Sequence, residues 1–178
     1  MVKERVVTRE VLPQSLREFY SQARRHTFAA GVTPVENPLI WGAKGLSFSE
    51  GNLYYYDRYF DNPQRPGNFA GIEIVSEAMY GGKPLAVYTY GGGLREQGLK
   101  LGEEVVYPRL QKFLRENAQT ARFGRNVRDL MADEIGVWIY ESKGLVADWG
   151  WADVEYINLN GRLVYDFQGQ GICLQPGF

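Results

Sequence analysis

Phe69-Ala70-Gly71-Ile72-Glu73 has a counterpart later in the chain, Trp151-Ala152-Asp153-Val154-Glu155, in which an aromatic residue and a terminal glutamate keep the same spacing. The two stretches lie 82 residues apart (155 − 73). Side chains alternate between the two faces of a β-strand, so each glutamate shares a face with the aromatic residue of its own stretch. These stretches decide the fold because the segments around them also occur twice, in the same order.

Each stretch is preceded by a helical motif and an aromatic strand motif, and is followed by a turn with Gly and a basic residue. We therefore predict an internal duplication within a single domain, residues 1–178, with related units at about 15–93 and 103–171. The matching pairs are Leu16-x-x-Phe19 with Leu110-x-x-Phe113, 54–57 with 138–141, and Gly82-Lys83 with Gly161-Arg162.

The order of predicted elements is helix, four strands, helix and three strands. Leu16, Phe19 and Tyr20 recur at helical spacing, and Ser15 with Glu18 matches a capping box, so the first helix should begin there. Every link between strands is short, which predicts antiparallel pairing. The sequence thus predicts an α+β fold, an antiparallel sheet of about seven strands with two helices on one face. The alternative is a split barrel with the helices outside.

Three segments are predicted to be irregular. Residues 31–45 are rich in Gly and Pro, and residues 122–133 lack a clear period, so both are expected to be loops. Gly91-Gly92-Gly93 is interpreted as a flexible link between the units. The second helix is expected near Glu104–Ala118, with its start moved toward Tyr107 because proline is tolerated only in the first turn of a helix.

Composition narrows the class of protein. The chain has 178 residues, 44% of them hydrophobic, and a net charge of −1, as expected of one medium-sized soluble domain. A net charge near zero gives no field that attracts nucleic acid or an anionic membrane, so neither partner is expected. His26 and Cys173 are the only residues of their kinds, and we expect no metal site, no disulfide and no cofactor. Residues 1–5 lack the apolar region of a signal peptide, which favours a cytoplasmic location.

Residues 105–128 concentrate positive charge, with six Arg or Lys residues against Glu116 alone. Two interpretations stay open for this segment. It forms a solvated basic helix beside acidic strand edges, or it forms a basic face for an anionic partner.

The strand pattern also predicts a binding surface. We interpret the sheet face with Ile72, Ile74 and Val154 as the one that packs on the helices, so that the face with Glu73 and Glu155 is open. Aromatic rings and carboxylates on an open face have the composition of a ligand cleft. The predicted ligand-binding residues are Tyr56, Arg58, Phe69, Glu73, Tyr88, Tyr140, Trp151 and Glu155.

Three functions are compatible with this surface. The preferred one is a non-enzymatic domain that binds a small molecule or a protein partner. The second is a hydrolase in which Glu73 and Glu155 supply the two carboxylates of acid–base chemistry. The third is a homodimerising interaction module whose exposed aromatic residues form the interface. A purely structural role for both glutamates competes with all three.

The motifs resemble an uncharacterised bacterial family, a domain of unknown function. The resemblance covers roughly residues 16–171 and departs at Ala152-Asp153, where the family pattern has a glycine before Val154-Glu155. It implies a bacterial source and no established activity. Some relatives carry helix-turn-helix regulator modules, which implies a sensor role, although no such module is visible here. The matching residues are Phe19, Ala23, Tyr56, Asp57, Phe69, Gly71, Glu73, Tyr88, Trp138, Tyr140, Glu155, Val164 and Tyr165.

Overall fold

The computed structural model describes residues 12–36, 42–78, 82–147 and 150–175. Its helices are α1 (Gln14–His26), α2 (Glu96–Leu101) and α3 (Glu103–Glu116), with a 3-10 helix at Phe28–Ala30. Its strands are β1 (Val35–Glu36), β2 (Lys44–Glu50), β3 (Leu53–Asp61), β4 (Asn68–Glu77), β5 (Pro84–Leu94), β6 (Val127–Ala132), β7 (Val137–Ala147), β8 (Gly150–Leu159) and β9 (Arg162–Cys173).

The nine strands form one open antiparallel sheet in the order β1-β2-β3-β4-β5-β9-β8-β7-β6. The predicted α+β class and antiparallel sheet are confirmed. The predicted seven strands and two helices are wrong, since the described residues contain nine strands and three helices. The single open sheet also contradicts the split-barrel alternative.

The additional strands lie in segments that were expected to be loops. β1 falls within residues 31–45 and β6 within residues 122–133. The sequence prediction missed β6 because the polarity of its residues does not match their burial. Leu130 is exposed, whereas Asp129 is half-buried and accepts a hydrogen bond from Asn117 at 2.8 Å. The prediction that Gly91–Gly93 is a flexible link between the two units is also wrong. The triplet belongs to β5 and pairs with both β4 and β9.

Both long helices begin earlier than predicted. α1 begins at Gln14 after Pro13, and no side chain caps it, so the predicted capping box at Ser15 is wrong. α3 begins at Glu103 and contains Pro108 in its second turn. The carbonyl of the exposed residue Glu104 would otherwise accept from position 108, so its lost hydrogen bond can be replaced by water.

The same order of elements occurs in both halves of the chain. A long helix is followed by a four-stranded meander, β2–β5 after α1 and β6–β9 after α3, and β5 pairs with β9 at the centre. Glu73 lies between Asp57 and Tyr88 in the sheet, as Glu155 lies between Ser142 and Phe167. The proposed duplication and its unit boundaries stay a prediction.

This register corrects one equivalence from the sequence. The matching letters paired Tyr56 with Tyr140, but Tyr55 occupies the position that corresponds to Tyr140, two residues before the one opposite the glutamate. A shift of one residue turns a side chain to the other face of the sheet. Tyr55 and Tyr140 are accordingly buried, whereas Tyr56 lies on the opposite face.

The helices cover the face that was predicted to be open. Glu73 is 2% exposed and Glu155 is fully buried, whereas Ile72 and Ile74 on the other face are only half-buried. The prediction assigned the aliphatic side chains to the core and the acids to solvent. It failed because aromatic rings fill this core and because both acids find buried partners there, which removes most of the cost of burying a charge.

Glycines in the central strands make room for those rings. A Cβ atom at Gly169 would lie 2.3 Å from the Tyr88 hydroxyl, and one at Gly171 would lie 2.2 Å from the Trp151 ring. Real Cβ atoms do not approach other heavy atoms so closely, so any larger residue would displace the ring. The aromatic layer therefore packs directly on the sheet backbone.

Candidate functional site

Glu73 and Glu155 each bind a guanidinium and a tyrosine hydroxyl beneath the helices. Glu73 Oε2 accepts hydrogen bonds from Arg24 Nη2 at 2.7 Å, Arg24 Nε at 3.0 Å and Tyr20 Oη at 2.6 Å. Glu155 accepts from Arg122 Nε and Nη2, both at 3.0 Å, and from Tyr140 Oη at 2.8 Å. Each acid therefore accepts three hydrogen bonds, of which two come from a guanidinium and are charge-assisted.

Both members of the first pair stay charged. Burial opposes ionisation of Glu73, but Arg24, Arg122 and the Tyr20 hydroxyl outweigh it and hold the pKa of Glu73 below its usual value. Burial likewise lowers the pKa of Arg24, whereas the negative charge of Glu73 more than compensates and raises it. The interaction is thus an ion pair at neutral pH.

The arginines come from two separate places in the fold. Arg24 lies in the last turn of α1, with its guanidinium 4.2 Å from the centroid of the Tyr20 ring. Arg122 follows α3 in a left-handed conformation (φ 63°), with its guanidinium 3.9 Å from the Phe167 ring. A non-glycine residue in that conformation is strained, and the surrounding structure must hold it there.

The Arg122 carbonyl joins the two ion pairs. It accepts from Trp151 Nε1 at 3.0 Å and from Arg24 Nη1 at 3.4 Å. Nearby, Asp153 Oδ1 accepts from the backbone N–H of Gly124 at 2.8 Å, and burial raises the pKa of Asp153 to about 7. These contacts fasten the segment after α3 to β8.

A cavity of about 220 Å³ lies between the helices and the strands of the first half. A single buried water needs only roughly 10–15 Å³, so this volume suits a small molecule. The charged residues of the lining are three cations and four acids, Arg24, Lys44, Arg122, Asp57, Asp61, Glu73 and Glu103. The aromatic residues of the lining are Phe28, Tyr55, Tyr59, Phe69, Tyr90 and Tyr107.

Asp57 is one of the cavity residues that the sequence prediction missed. It is 5% exposed, and the Tyr90 hydroxyl donates a hydrogen bond to its Oδ1. Within the described part of the chain this is the one hydrogen bond to its carboxylate, whereas Glu73 receives three. Burial and the neighbouring charge of Glu73 raise the pKa of Asp57 to about 7. Asp57 shares a strand face with Tyr55 and Tyr59, and this pattern in the sequence could have placed it in the candidate site.

The structure divides the eight predicted site residues into three groups. Phe69 and Glu73 line the cavity. Tyr88, Tyr140, Trp151 and Glu155 are buried around it without lining it.

Tyr56 and Arg58 do not join the site. They lie on the opposite face of the sheet from Asp57 and Tyr55, because successive side chains of a strand point to opposite faces. There the Arg58 guanidinium lies 5.7 Å from the Tyr56 ring, and its Nη1 donates to the Asp57 carbonyl at 2.9 Å.

The basic segment 105–128 is largely engaged within the protein. Arg109 binds Asp133, Arg122 binds Glu155 and Arg128 lies 3.4 Å from Glu141. These contacts favour a basic helix beside acidic strands over a free basic face.

Two general features of the described residues complete the site. No group of three or more His, Cys, Asp or Glu side chains in them is placed to hold a metal ion. None of the helices in this part of the chain combines the length and apolar character needed to cross a membrane.

Comparison with known proteins gives no match among protein-family models, curated proteins or solved structures. The resemblance to the uncharacterised bacterial family therefore stays a prediction. A functional conclusion has to rest on the geometry of the cavity.

Proposed function

We propose that the protein is a small-molecule-binding domain whose ligand occupies the cavity between α1, α3 and strands β2–β5. The observation that carries this proposal is the cavity of about 220 Å³, with its six aromatic rings and the sparsely hydrogen-bonded Asp57 in its wall. Small-molecule sites are mostly apolar concavities with a few polar groups that fix orientation.

Rigid walls support the same proposal. Arg24 is bound to Glu73 and to the Arg122 carbonyl, and Arg122 is bound to Glu155, so both cations are fixed before a ligand arrives. A site with fixed walls loses little conformational entropy on binding. This is the expected design of a binding domain.

The geometry gives no support to the hydrolase alternative. Glu73 and Glu155 lie on β4 and β8, which β5 and β9 separate, so three strand spacings alone amount to roughly 14 Å. The register aligns Glu73 with Trp151 through Tyr88 and Gly171, and Glu155 lies four residues, or roughly 13 Å, further along β8. Only Glu73 lines the cavity, and both carboxylates bind a guanidinium. Two-carboxylate hydrolysis instead needs one acid that holds a proton beside the substrate.

A thermal-shift screen against a chemically diverse panel of small metabolites tests the proposal. A compound at 100 times its Kd adds about 2.7 kcal/mol to the free energy of unfolding, which is readily measured. The variant Ala118→Leu fills the cavity, because Ala118 is buried in its wall. We expect at least one compound to stabilise the wild type and not this variant.

The matched control is Ala30→Leu, which adds the same atoms at an exposed position outside the cavity lining. It should keep the stabilisation seen with the wild type. If no compound stabilises the wild type, or if Ala118→Leu responds as strongly as the control, the proposal is wrong.

A further inference from the structure

We infer that the ligand of this cavity is a small organic cation, an amine on an aromatic or apolar body, whose ammonium group binds the Asp57 carboxylate. The inference rests on the proposed function and narrows the class of its ligand. Charge, hydrogen bonding, ring placement and the difference between the two halves of the sheet support it.

The charges around the cavity leave acids in excess. Arg24 is paired with Glu73, Arg122 with Glu155 and Lys44 with Asp61. Two acids of the lining then remain, the exposed Glu103 at the start of α3 and the buried Asp57. A buried monocation would neutralise Asp57, whereas an anion would place another negative charge beside it in a region of low dielectric constant.

The hydrogen bonds around the cavity also favour a positively charged ligand. Arg24 already donates to Glu73 through Nε and Nη2, and to the Arg122 carbonyl through Nη1. Arg122 directs Nε and Nη2 to Glu155. A carboxylate has about four acceptor sites, and Tyr90 occupies one of those of Asp57, so an ammonium group with three donors complements what remains.

The rings that line the cavity suit a cation with an apolar body. The Phe69 ring lies 6.0 Å from Tyr90, the tyrosine that donates to Asp57, and 6.4 Å from Tyr107. Ring faces attract an ammonium group through their quadrupole and also bury apolar surface. The carboxylate and the three rings thus lie in one continuous wall of the cavity.

The second half of the sheet lacks these features at the corresponding position. Ser142 lies opposite Glu155 where Asp57 lies opposite Glu73. There the Phe113 ring of α3 stacks on Tyr140, with the ring centroids 5.5 Å apart. Asp57 therefore has no acidic counterpart at position 142. The second half has its own buried acid, Asp153, but that carboxylate already accepts hydrogen bonds from the Gly124 N–H and the Tyr88 hydroxyl.

Three probes of matched shape test the inference: 2-phenylethylamine, 2-phenylethanol and phenylacetate. Calorimetric titration of the wild type at pH 8 should give an affinity for the amine at least tenfold higher than for the alcohol, and no binding of phenylacetate. Asp57→Asn should lower the affinity for the amine at least tenfold, to that for the alcohol. The matched control Asp166→Asn, at an acid of β9 that is paired with Arg95 and lies outside the cavity lining, should change the affinity less than threefold.

A second variant, Asp57→Ser, copies the residue at the corresponding position of the other half and covers the case in which Asp57→Asn does not fold. The inference is overturned if phenylacetate or the alcohol binds the wild type as tightly as the amine. It is also overturned if neither variant at position 57 weakens binding of the amine. A third contrary result would be that the compounds of the thermal-shift panel that stabilise the wild type but not Ala118→Leu are anionic or neutral. Those results leave the proposed function intact, because blockage by Ala118→Leu tests that function separately.

Discussion

Arg122 has three separate roles within one residue. Its backbone adopts a left-handed conformation, its guanidinium binds Glu155, and its carbonyl receives hydrogen bonds from Trp151 and Arg24. Breaking any of these contacts leaves a buried polar group without its partner, which costs more than the contact itself contributes.

Removing the charge of Glu155 should therefore be costly. Glu155→Gln leaves the Arg122 guanidinium buried without a counter-charge, and we expect the free energy of unfolding to fall by about 3–5 kcal/mol in urea titrations. Glu96→Gln is the control, because the Glu96–Lys100 pair is largely exposed and should contribute little. Equal effects of the two substitutions would show that the buried pair is not a structural ion pair.

Asp57 should make stability depend on pH. Its pKa is about 7 in the folded protein and about 3.8 ordinarily, so the folded state binds the proton more tightly between these values. Stability then falls as pH rises from about 4 to 7. The Asp57→Asn variant has no carboxyl group at this position and should not lose stability in this way. The difference in free energy of unfolding, variant minus wild type, should therefore increase by about 2–3 kcal/mol from pH 5 to pH 8.

Urea titrations of both proteins at the two pH values measure this difference. The lowered pKa of Glu73 acts in the opposite direction and in a separate range, since its contribution to stability is lost only as pH falls below about 4.5. Parallel pH profiles of wild type and variant would contradict the predicted titration of Asp57.

At the scale of elements, the fit of aromatic rings onto glycines can be tested within the central strands. Gly169→Ala should destabilise the protein by about 1–3 kcal/mol, because its Cβ would collide with Tyr88. Gly91→Ala on β5 is the matched control, since its Cβ would meet other atoms only at ordinary distances of 3.5 Å or more. Thermal unfolding should show a lower Tm for the first variant only, and equal Tm values would exclude the fit as a source of stability.

The sequence predicts elements better than it predicts the site. Alternation and short turns identify seven strands, and they fail at β6, where Asp129 faces inward to bind Asn117. Nothing local assigns the buried face, because the partners of Glu73 and Glu155 are Arg24 and Arg122, which are 49 and 33 residues away at a helix end and in a turn. Such pairs become visible only when the elements are placed in three dimensions.

At the scale of the whole molecule, the two halves should unfold together. They share one sheet through β5 and β9, and the Arg24–Arg122 contact links their buried ion pairs. We expect hydrogen exchange of β4 in the first half and of β8 in the second to report the same free energy of opening. Loss of protection at clearly different urea concentrations would contradict a single cooperative unit.

The unusual pattern of β6 also bears on solubility. β6 is an outermost strand, so one row of its backbone groups can recruit the strand of another molecule. Arg128 and Asp129 place charges along that row, and such charges discourage sheets from joining edge to edge. Asp129, the inward-facing acid that made this strand difficult to predict, is thus also expected to help protect the protein from aggregation.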